Sequence, residues 1–443
     1  MRTIFFTLLR PFCSKMTKMP LKKNARKKTA IWRLDNIGRM KIAVLELTPT
    51  GHYTLVESVV NIYATNPTAE ITIFTNENGE KHLNYLVSDQ NRVKIVTCGS
   101  DTGGGAFSDF FHKINAQNFN KLFVVTLETT SNQVFEVAKA FAAHEFNCPI
   151  YFFIHNIDNW FGKTFFNRLH NVLFDKITFS SWRFFKYQIK FQFIFPKYNP
   201  AILEKVRRSG GKLVALSPAV ADGIGEWVAR DFIEIIPFSF YNPSLRDTSS
   251  PDVLRLCLPG FVSATRRDYF SIFKMLDELE AKNPMIKNKL IIDLLGGISV
   301  AENGESVVAE AKKYIAKGFK ILLYERAMVS VSDFDASLAA SQIVVGNLHL
   351  KQGASGMYGK SKESGLVFTM IKAGKIGIVP AEYNFDEALK TSILTFKNYT
   401  DLGNLILNLV ENPEKIKTLQ REAIKNAEQF LPQNIYKRLE KEN

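Results

Sequence analysis

Two loops in the first half of the chain carry histidine next to residues that hold sugars. The first is Thr48-Pro49-Thr50-Gly51-His52, directly after the apolar run Ile42 to Leu47. Gly51 lets a ligand approach the backbone, and His52 offers an imidazole to hydrogen-bond a hydroxyl; the plainer alternative is a Pro-Gly turn with a surface histidine. The second, Ile154-His155-Asn156-Ile157-Asp158-Asn159-Trp160, places a histidine, two carboxamides, an acid and an indole after the strand-like Tyr151 to Phe153. An aromatic face covers a sugar ring while polar tips take its hydroxyls, so this set suits carbohydrate.

Two loops in the second half suit an anion instead. Between Leu256 and Tyr269 the chain runs Cys257-Leu258-Pro259-Gly260-Phe261-Val262-Ser263-Ala264-Thr265-Arg266-Arg267-Asp268. A Gly turn, small hydroxyl residues and two arginine forks can grip a diphosphate, although a polar loop with solvated arginines fits the same pattern. Further on, Tyr358-Gly359-Lys360-Ser361-Lys362-Glu363-Ser364-Gly365 leads into the helical run Leu366 to Ala373. Free N–H groups at a helix start, together with Lys360 and Lys362, favour an anion there. Gly359-Lys360-Ser361 matches the end of a P-loop, but Ala354 replaces the leading glycine and no strand precedes it, so that match is discounted.

These loops need a scaffold that presents them together, and the pattern supplies one. From Met40 onward, strand candidates alternate with helices: Ile42 to Leu47, Glu70 to Phe74, Val93 to Thr97, Leu122 to Thr126 and Pro149 to His155. A second series follows the Pro-containing stretch from Ile236 to Pro251, with Leu254 to Leu258, Leu290 to Leu295, Lys320 to Tyr324, Ile343 to Val345 and Ile376 to Val379. Continuous apolar strands in βαβ order imply parallel sheets covered on both faces. The expected fold is therefore α/β, with two Rossmann-like domains facing one cleft. Ligands of such sheets bind beyond the carboxyl ends of the strands, where the four loops fall. The expected divisions are a basic extension over 1–39, an N-terminal domain over 40–238 with an aromatic and basic insertion at 161–198, and a linker over 239–251. A C-terminal domain over 252–412 and a helical segment over 413–443 complete it.

The chain has 443 residues and a formal net charge of +14, but residues 1–39 hold eleven Lys or Arg against the single acid Asp35. The remainder is nearly balanced, which argues against a basic groove for nucleic acid. The extension is read as a presequence, as a basic membrane anchor, or as the result of a start placed upstream of Met40. The insertion, Phe161 to Tyr198, combines thirteen aromatic residues and seven Lys or Arg with one acid, Asp175. That composition suits an interfacial amphipathic segment on an anionic membrane surface, or a helical cover with its lysines in water. Cys13, Cys98, Cys148 and Cys257 have no C-x-x-C spacing and suggest neither zinc nor a redox pair.

The loops at Gly260 and Glu363, together with Gly374-Lys375 and the strand ending at Pro380, resemble the GT-B glycosyltransferases, especially the retaining glycogen-synthase-like group. By that resemblance Gly260 matches the glycine of the first phosphate loop, and Arg266 falls where the family keeps a donor-binding lysine. Phe261 replaces the family's arginine, and Thr369 stands at the position of the second glutamate, which binds the donor's ribose in relatives. The resemblance implies a nucleotide-sugar donor held by Gly260, Ser263, Arg266, Arg267, Lys360, Lys362, Ser364, Gly365 and Thr369. It implies a glycan or lipid-linked acceptor at Thr48, Gly51, His52 and Asn156, with His155 and Glu363 as catalytic candidates. No metal or other cofactor is expected, and the location expected is cytoplasmic, with peripheral attachment to the inner face of the membrane as an extension of it. The terminal helices from Pro413 are expected to pack back on the N-terminal domain. Two alternatives stand beside this: a degenerate GT-B binding or scaffold protein, and a nicotinamide-dependent oxidoreductase, for which the first strand lacks the G-x-G-x-x-G fingerprint.

Overall fold

The computed structural model describes residues 40–48, 52–89, 92–98, 104–127, 132–162, 189, 193–245, 252–326, 328–351 and 356–441. The extension 1–39, Gly51 and most of the insertion 161–198 lie outside them. Residues 40 to 443 form one compact unit built on two all-parallel sheets.

The first sheet contains β1 (Met40–Glu46), β2 (Ala69–Asn76), β3 (Val93–Cys98), β4 (Lys121–Thr126), β5 (Ile150–Phe153), β6 (Lys212–Ala215) and β7 (Ile233–Ile235), in the order β3-β2-β1-β4-β5-β6-β7. The second contains β8 (Leu254–Cys257), β9 (Leu290–Leu294), β10 (Lys320–Leu323), β11 (Ile343–Val345), β12 (Ile376–Pro380) and β13 (Ile393–Phe396), in the order β10-β9-β8-β11-β12-β13. In both, strand order reverses beside the first strand, between β1 and β4 and between β8 and β11. Such reversals open a crevice at the carboxyl ends because consecutive crossovers leave on opposite faces.

Helices of eight or more residues cover the sheets: α1 (Tyr53–Ala64), α2 (Glu77–Asp89), α3 (Gly104–Asn115), α4 (Asn132–Ala143), α5 (Asn199–Arg208), α6 (Pro218–Gly225), α7 (Tyr269–Lys282), α8 (Gly304–Ala316), α9 (Val331–Ala339), α10 (Gly365–Ala373), α11 (Tyr399–Glu411), α12 (Pro413–Glu428) and α13 (Pro432–Lys441). Their ends follow local chemistry. Asp268 accepts from Ser271 N at 3.0 Å to start α7, Ser364 accepts from Leu366 N to start α10, and Gly374 at φ +58° closes α10.

One apolar cluster runs from α1 and the face of β1 carrying Ile42 and Val44, through Ile236, to Leu366 and Phe368 of α10. This shared core holds the lobes together. Phe238 stacks on Phe368 at 5.1 Å between centroids, while Ser58 Oγ donates to Phe238 O at 2.6 Å. The terminal helix α13 lies on α1: Ile435 and Leu439 are buried, Tyr436 meets Tyr63 edge-on, and Lys121 on β4 pairs with Glu440 at 2.7 Å. Of the terminal helices expected to return to the first lobe, α13 does so, whereas α12 packs on the second, where Asn426 Nδ2 donates to Thr391 Oγ1 and Ser392 Oγ. Among the described residues no helix is long and apolar enough to cross a membrane.

Candidate functional site

The first crevice is lined by an acid, two histidines and two threonines. Glu46 ends β1, is fully buried, and its Oε1 accepts from Thr48 N at 2.8 Å and from Thr48 Oγ1 at 2.5 Å. Its Oε2 has no well-formed partner, although Thr126 and the His52 N–H lie near enough to favour the charged form. Burial outweighs those contacts and pushes the carboxyl up to about 7.

Thr126 ends β4 and joins the two histidines, which come from different elements. Its Oγ1 lies 2.9 Å from His52 Nδ1 and 3.2 Å from His155 Nε2. The two imidazoles stack at 4.2 Å with 20° between planes, and Phe238 stands edge-on to His52. His155 Nε2 is 2.7 Å from Val125 O. A carbonyl only accepts, so that nitrogen carries the proton and Nδ1 is the ring's acceptor in the neutral form. Neutrality follows from the surroundings: burial, then the neighbouring His52, pushes His155 down to about 3, and burial holds His52 below its ordinary value. Both residues keep part of their surface exposed.

The second crevice centres on Arg267, which is 8% exposed. Gly260, at φ +101°, leaves room for it: a Cβ there would stand 2.5 Å from Arg267 Nη2. Arg267 forms no ion pair among the described residues, and its Nη1 is buried without a partner. Beside it, Asn347 follows β11 and receives Asp268 N on its backbone carbonyl at 2.8 Å, yet both polar atoms of its buried side chain are unpartnered. Tyr269 Oη is also unpartnered. Of eight such atoms among the described residues, five thus belong to Glu46, Arg267, Tyr269 and Asn347, next to the two strand-order reversals. A buried cation and a buried amide with open bonds are what an anionic, polar ligand completes.

The lysine-bearing loop meets the first lobe. Ile157 N donates to Ser361 O at 2.8 Å, Ser361 Oγ to Asp158 Oδ2 at 2.9 Å, and Asn156 forms an antiparallel bridge with Lys362. Gly223 of α6 packs under Lys360 O, where a Cβ would come within 2.9 Å. Lys360 is exposed, while Lys362 Nζ stands 4.4 Å over the Tyr358 ring.

The sequence-derived set therefore divides. Thr48, His52 and His155 come together, Asn156 meets Lys362, and Gly260 sits over Arg267. Arg266 is half-exposed and pairs with Glu302 at 2.6 Å, which corrects the expectation that both arginines stand ready for a ligand. The buried Ser263 Oγ supports the turn, 3.2 Å from Arg266 N and from Thr265 Oγ1. Ser364 spends its hydroxyl on the helix cap, and Gly365 is exposed with open space where a Cβ would stand. Thr369, aligned to a ribose-binding glutamate, donates its hydroxyl to Gly365 O at 2.8 Å, one turn back in its own helix. Glu363 is hydrogen-bonded by Tyr383 and Ser217, and burial raises its carboxyl above the ordinary range.

Sequence reasoning missed Glu46, Thr126 and Asn347. For Glu46 the signal was present: an acid inside an otherwise apolar parallel strand is costly and needs a reason. Asn347 offers a weaker one, a carboxamide directly beyond a three-residue apolar strand. A cavity of about 550 Å³ between α3 and α4, lined by His112, Asn115, His144 and Glu145, lies at the amino ends of the strands and joins neither crevice.

No family model and no curated protein matches this sequence. Solved structures do. The Anabaena protein HepE (Alr3699) in complex with UDP and glucose is 15% identical, with a TM-score of 0.54 over 91% of this chain and 99% of that one. A trehalose 6-phosphate synthase from Burkholderia multivorans is 10% identical, with a TM-score of 0.52 over 92% and 98%. The UDP-GlcNAc 2-epimerase from Neisseria meningitidis bound to UDP-GlcNAc is 10% identical, with a TM-score of 0.50 over 91% and 99%. Over nine-tenths of its length, then, the chain has the α/β two-domain GT-B fold shared by these structures.

Proposed function

We propose that the protein is a glycosyltransferase of the retaining, glycogen-synthase-like kind, moving a sugar from a nucleotide-diphosphate donor to a glycan or lipid-linked acceptor. The observation that carries this is the buried, unpaired guanidinium of Arg267 under Gly260. Leaving such a charge without an anion costs several kcal/mol, so a site that keeps one is built around a negative ligand. A diphosphate supplies the charge, the paired oxygens that a guanidinium fork takes, and acceptors for Asn347. The neighbours whose names include UDP or a UDP-sugar support the donor class.

In this proposal Arg267, Asn347 and the start of α10 at Gly365 neutralise the departing diphosphate. His155 presents Nδ1 as an acceptor to a sugar hydroxyl, and neutral His52 takes or returns a proton at the reacting oxygen. The hydrogen bonds between Ser361 and the Ile157–Asp158 segment hold the two lobes closed, which keeps water from the donor. Lys362 and Asn156 meet where the two halves of that closure touch.

Calorimetry with UDP, GDP and dTDP and their sugars tests the reading. Wild-type protein should bind one nucleotide class, and Arg267→Met should weaken it by roughly 10- to 150-fold, the range for a charged hydrogen bond of about 1.5–3 kcal/mol. Absence of nucleotide binding in the wild type overturns it. A binding protein without turnover is the second reading, favoured by Thr369 closing on its own helix and by exposed Phe261 where relatives carry arginine. Nucleotide release in the presence of acceptors separates the two, and the configuration of recovered donor separates both from epimerisation.

A further inference from the structure

Glu46 touches no open surface, yet its pair across the sheet, Thr126, meets both histidines. Its oxygens are treated unequally: Oε1 is held twice by Thr48, while buried Oε2 has no hydrogen-bond partner, and the residue paired with Glu46 on the neighbouring strand β4 is Thr126. Thr126 has one proton to give and two ring nitrogens within reach, His52 Nδ1 and His155 Nε2. His155 Nε2 already carries a proton directed at Val125 O. The Thr126 hydroxyl can therefore accept from that N–H and donate only to His52 Nδ1 or to Glu46.

We infer that Glu46, Thr126 and His52 form a relay that stores one proton on the buried carboxyl and delivers it to His52. In the stored state Glu46 is the neutral acid and both imidazoles are neutral. On transfer, Oε2 closes onto Thr126 Oγ1, its pair across the sheet, and its proton passes there as the Thr126 proton passes to His52 Nδ1. The products are a Glu46 carboxylate and a His52 imidazolium, with no change in total charge. Glu46 is thus a positioning residue acting through Thr126, and His52 is the group that meets the ligand.

The surroundings keep this exchange between those groups. Among the described residues, the titratable groups facing the cluster are His52 at the start of α1 and His155 after β5, while β2 and β4 contribute Thr75 and Thr126, which do not titrate. Glu57, further along α1, lies by Lys372 instead. The segment after β7 contributes the Phe238 ring, which stands edge-on to His52 and shields it from water.

The role in sugar transfer rests on the function proposed above; the relay itself does not, because its test needs no substrate. The full chain labelled with 15N-histidine is followed between about pH 5 and pH 9, with Glu46→Gln, Thr126→Val and Thr126→Ser beside the wild type. In the wild type, the ring nitrogens of His52 and His155 should shift together with a midpoint of about 7, without either ring becoming imidazolium there. Glu46→Gln should abolish that shift, Thr126→Val should abolish it at His52, and Thr126→Ser should keep it. Infrared difference spectra of the wild type should lose a protonated-carboxyl band across the same midpoint, which keeps the test open if Glu46→Gln does not fold. A midpoint that survives Glu46→Gln, rings that protonate at the ordinary histidine value, or no such carboxyl band would overturn the relay. Loss of nucleotide binding with the shift intact would count against the enzyme reading alone.

Discussion

The two crevices, one in each lobe, solve the problem of a buried charge in opposite ways. In the first, the acid at the end of β1 is surrounded by hydroxyls and imidazoles, so its charge can be lost or relocated as a proton. In the second, Arg267 cannot lose its charge and has no acid to pair with among the described residues. A titratable group adapts to burial by changing its protonation, whereas a permanent cation must find an external anion. The same topology thus yields one crevice prepared for proton movement and one prepared for a charged ligand.

Substitutions by apolar residues should separate them most sharply. Arg267→Met should stabilise the ligand-free protein by about 1–4 kcal/mol, as removal of buried charge does, while weakening nucleotide binding. Urea unfolding and calorimetry read the two signs independently. Glu46→Leu should instead destabilise by about 1–3 kcal/mol, because the Thr48 N–H and hydroxyl lose their acceptor. Equal signs of stability change in the two variants would remove the contrast.

The pH dependence of stability sharpens it further. Glu46 binds its proton more tightly when folded, so its contribution falls as pH rises from about 4.5 through 7. His155 binds its proton less tightly when folded, so its contribution falls as pH drops from 6.5 toward 3. Between pH 4.5 and 6.5 the two slopes oppose. Relative to wild type, Glu46→Gln should gain a rising slope there and His155→Gln a falling one, measured as urea midpoints against pH.

Smaller effects concern the contact between lobes and the exposed arginine. Ser361→Ala removes the hydrogen bond to Asp158 and the acceptor of Met357 N–H, and should cost about 1–3 kcal/mol. Arg266→Ala breaks only a half-exposed pair with Glu302 and should change stability by about 1 kcal/mol or less, and nucleotide affinity less than Arg267→Met does. An affinity loss larger than that of Arg267→Met would move the anion site to the surface of the turn.

The longer strands of both sheets are legible because fully covered parallel strands read as unbroken apolar runs. β6, β7 and β13 escape that test: each has three or four residues, and Lys212, Glu234 and Thr395 interrupt them. The loops were legible for the same reason the strands were, since each follows an apolar run. Which of two adjacent arginines turns inward was not. Arg267 is buried because its backbone bridges to Leu348 beyond β11, a contact 81 positions away that no local pattern encodes. Likewise Thr126 reads as an ordinary strand residue until the fold brings it between two histidines 103 positions apart.

The placement of α13 bears on how this chain reaches its native state. Tyr63, Lys121 and the flank of α1 in the first lobe are covered by Ile435, Tyr436, Leu439 and Glu440. During synthesis, that flank stays wet until more than three hundred further residues have left the ribosome, since Lys121 and Glu440 alone are 319 positions apart, so the early lobe must wait half-dressed for its last strip of cover. Its completion is a late, long-range event, and a chaperone has its longest opportunity on the surface around Tyr63.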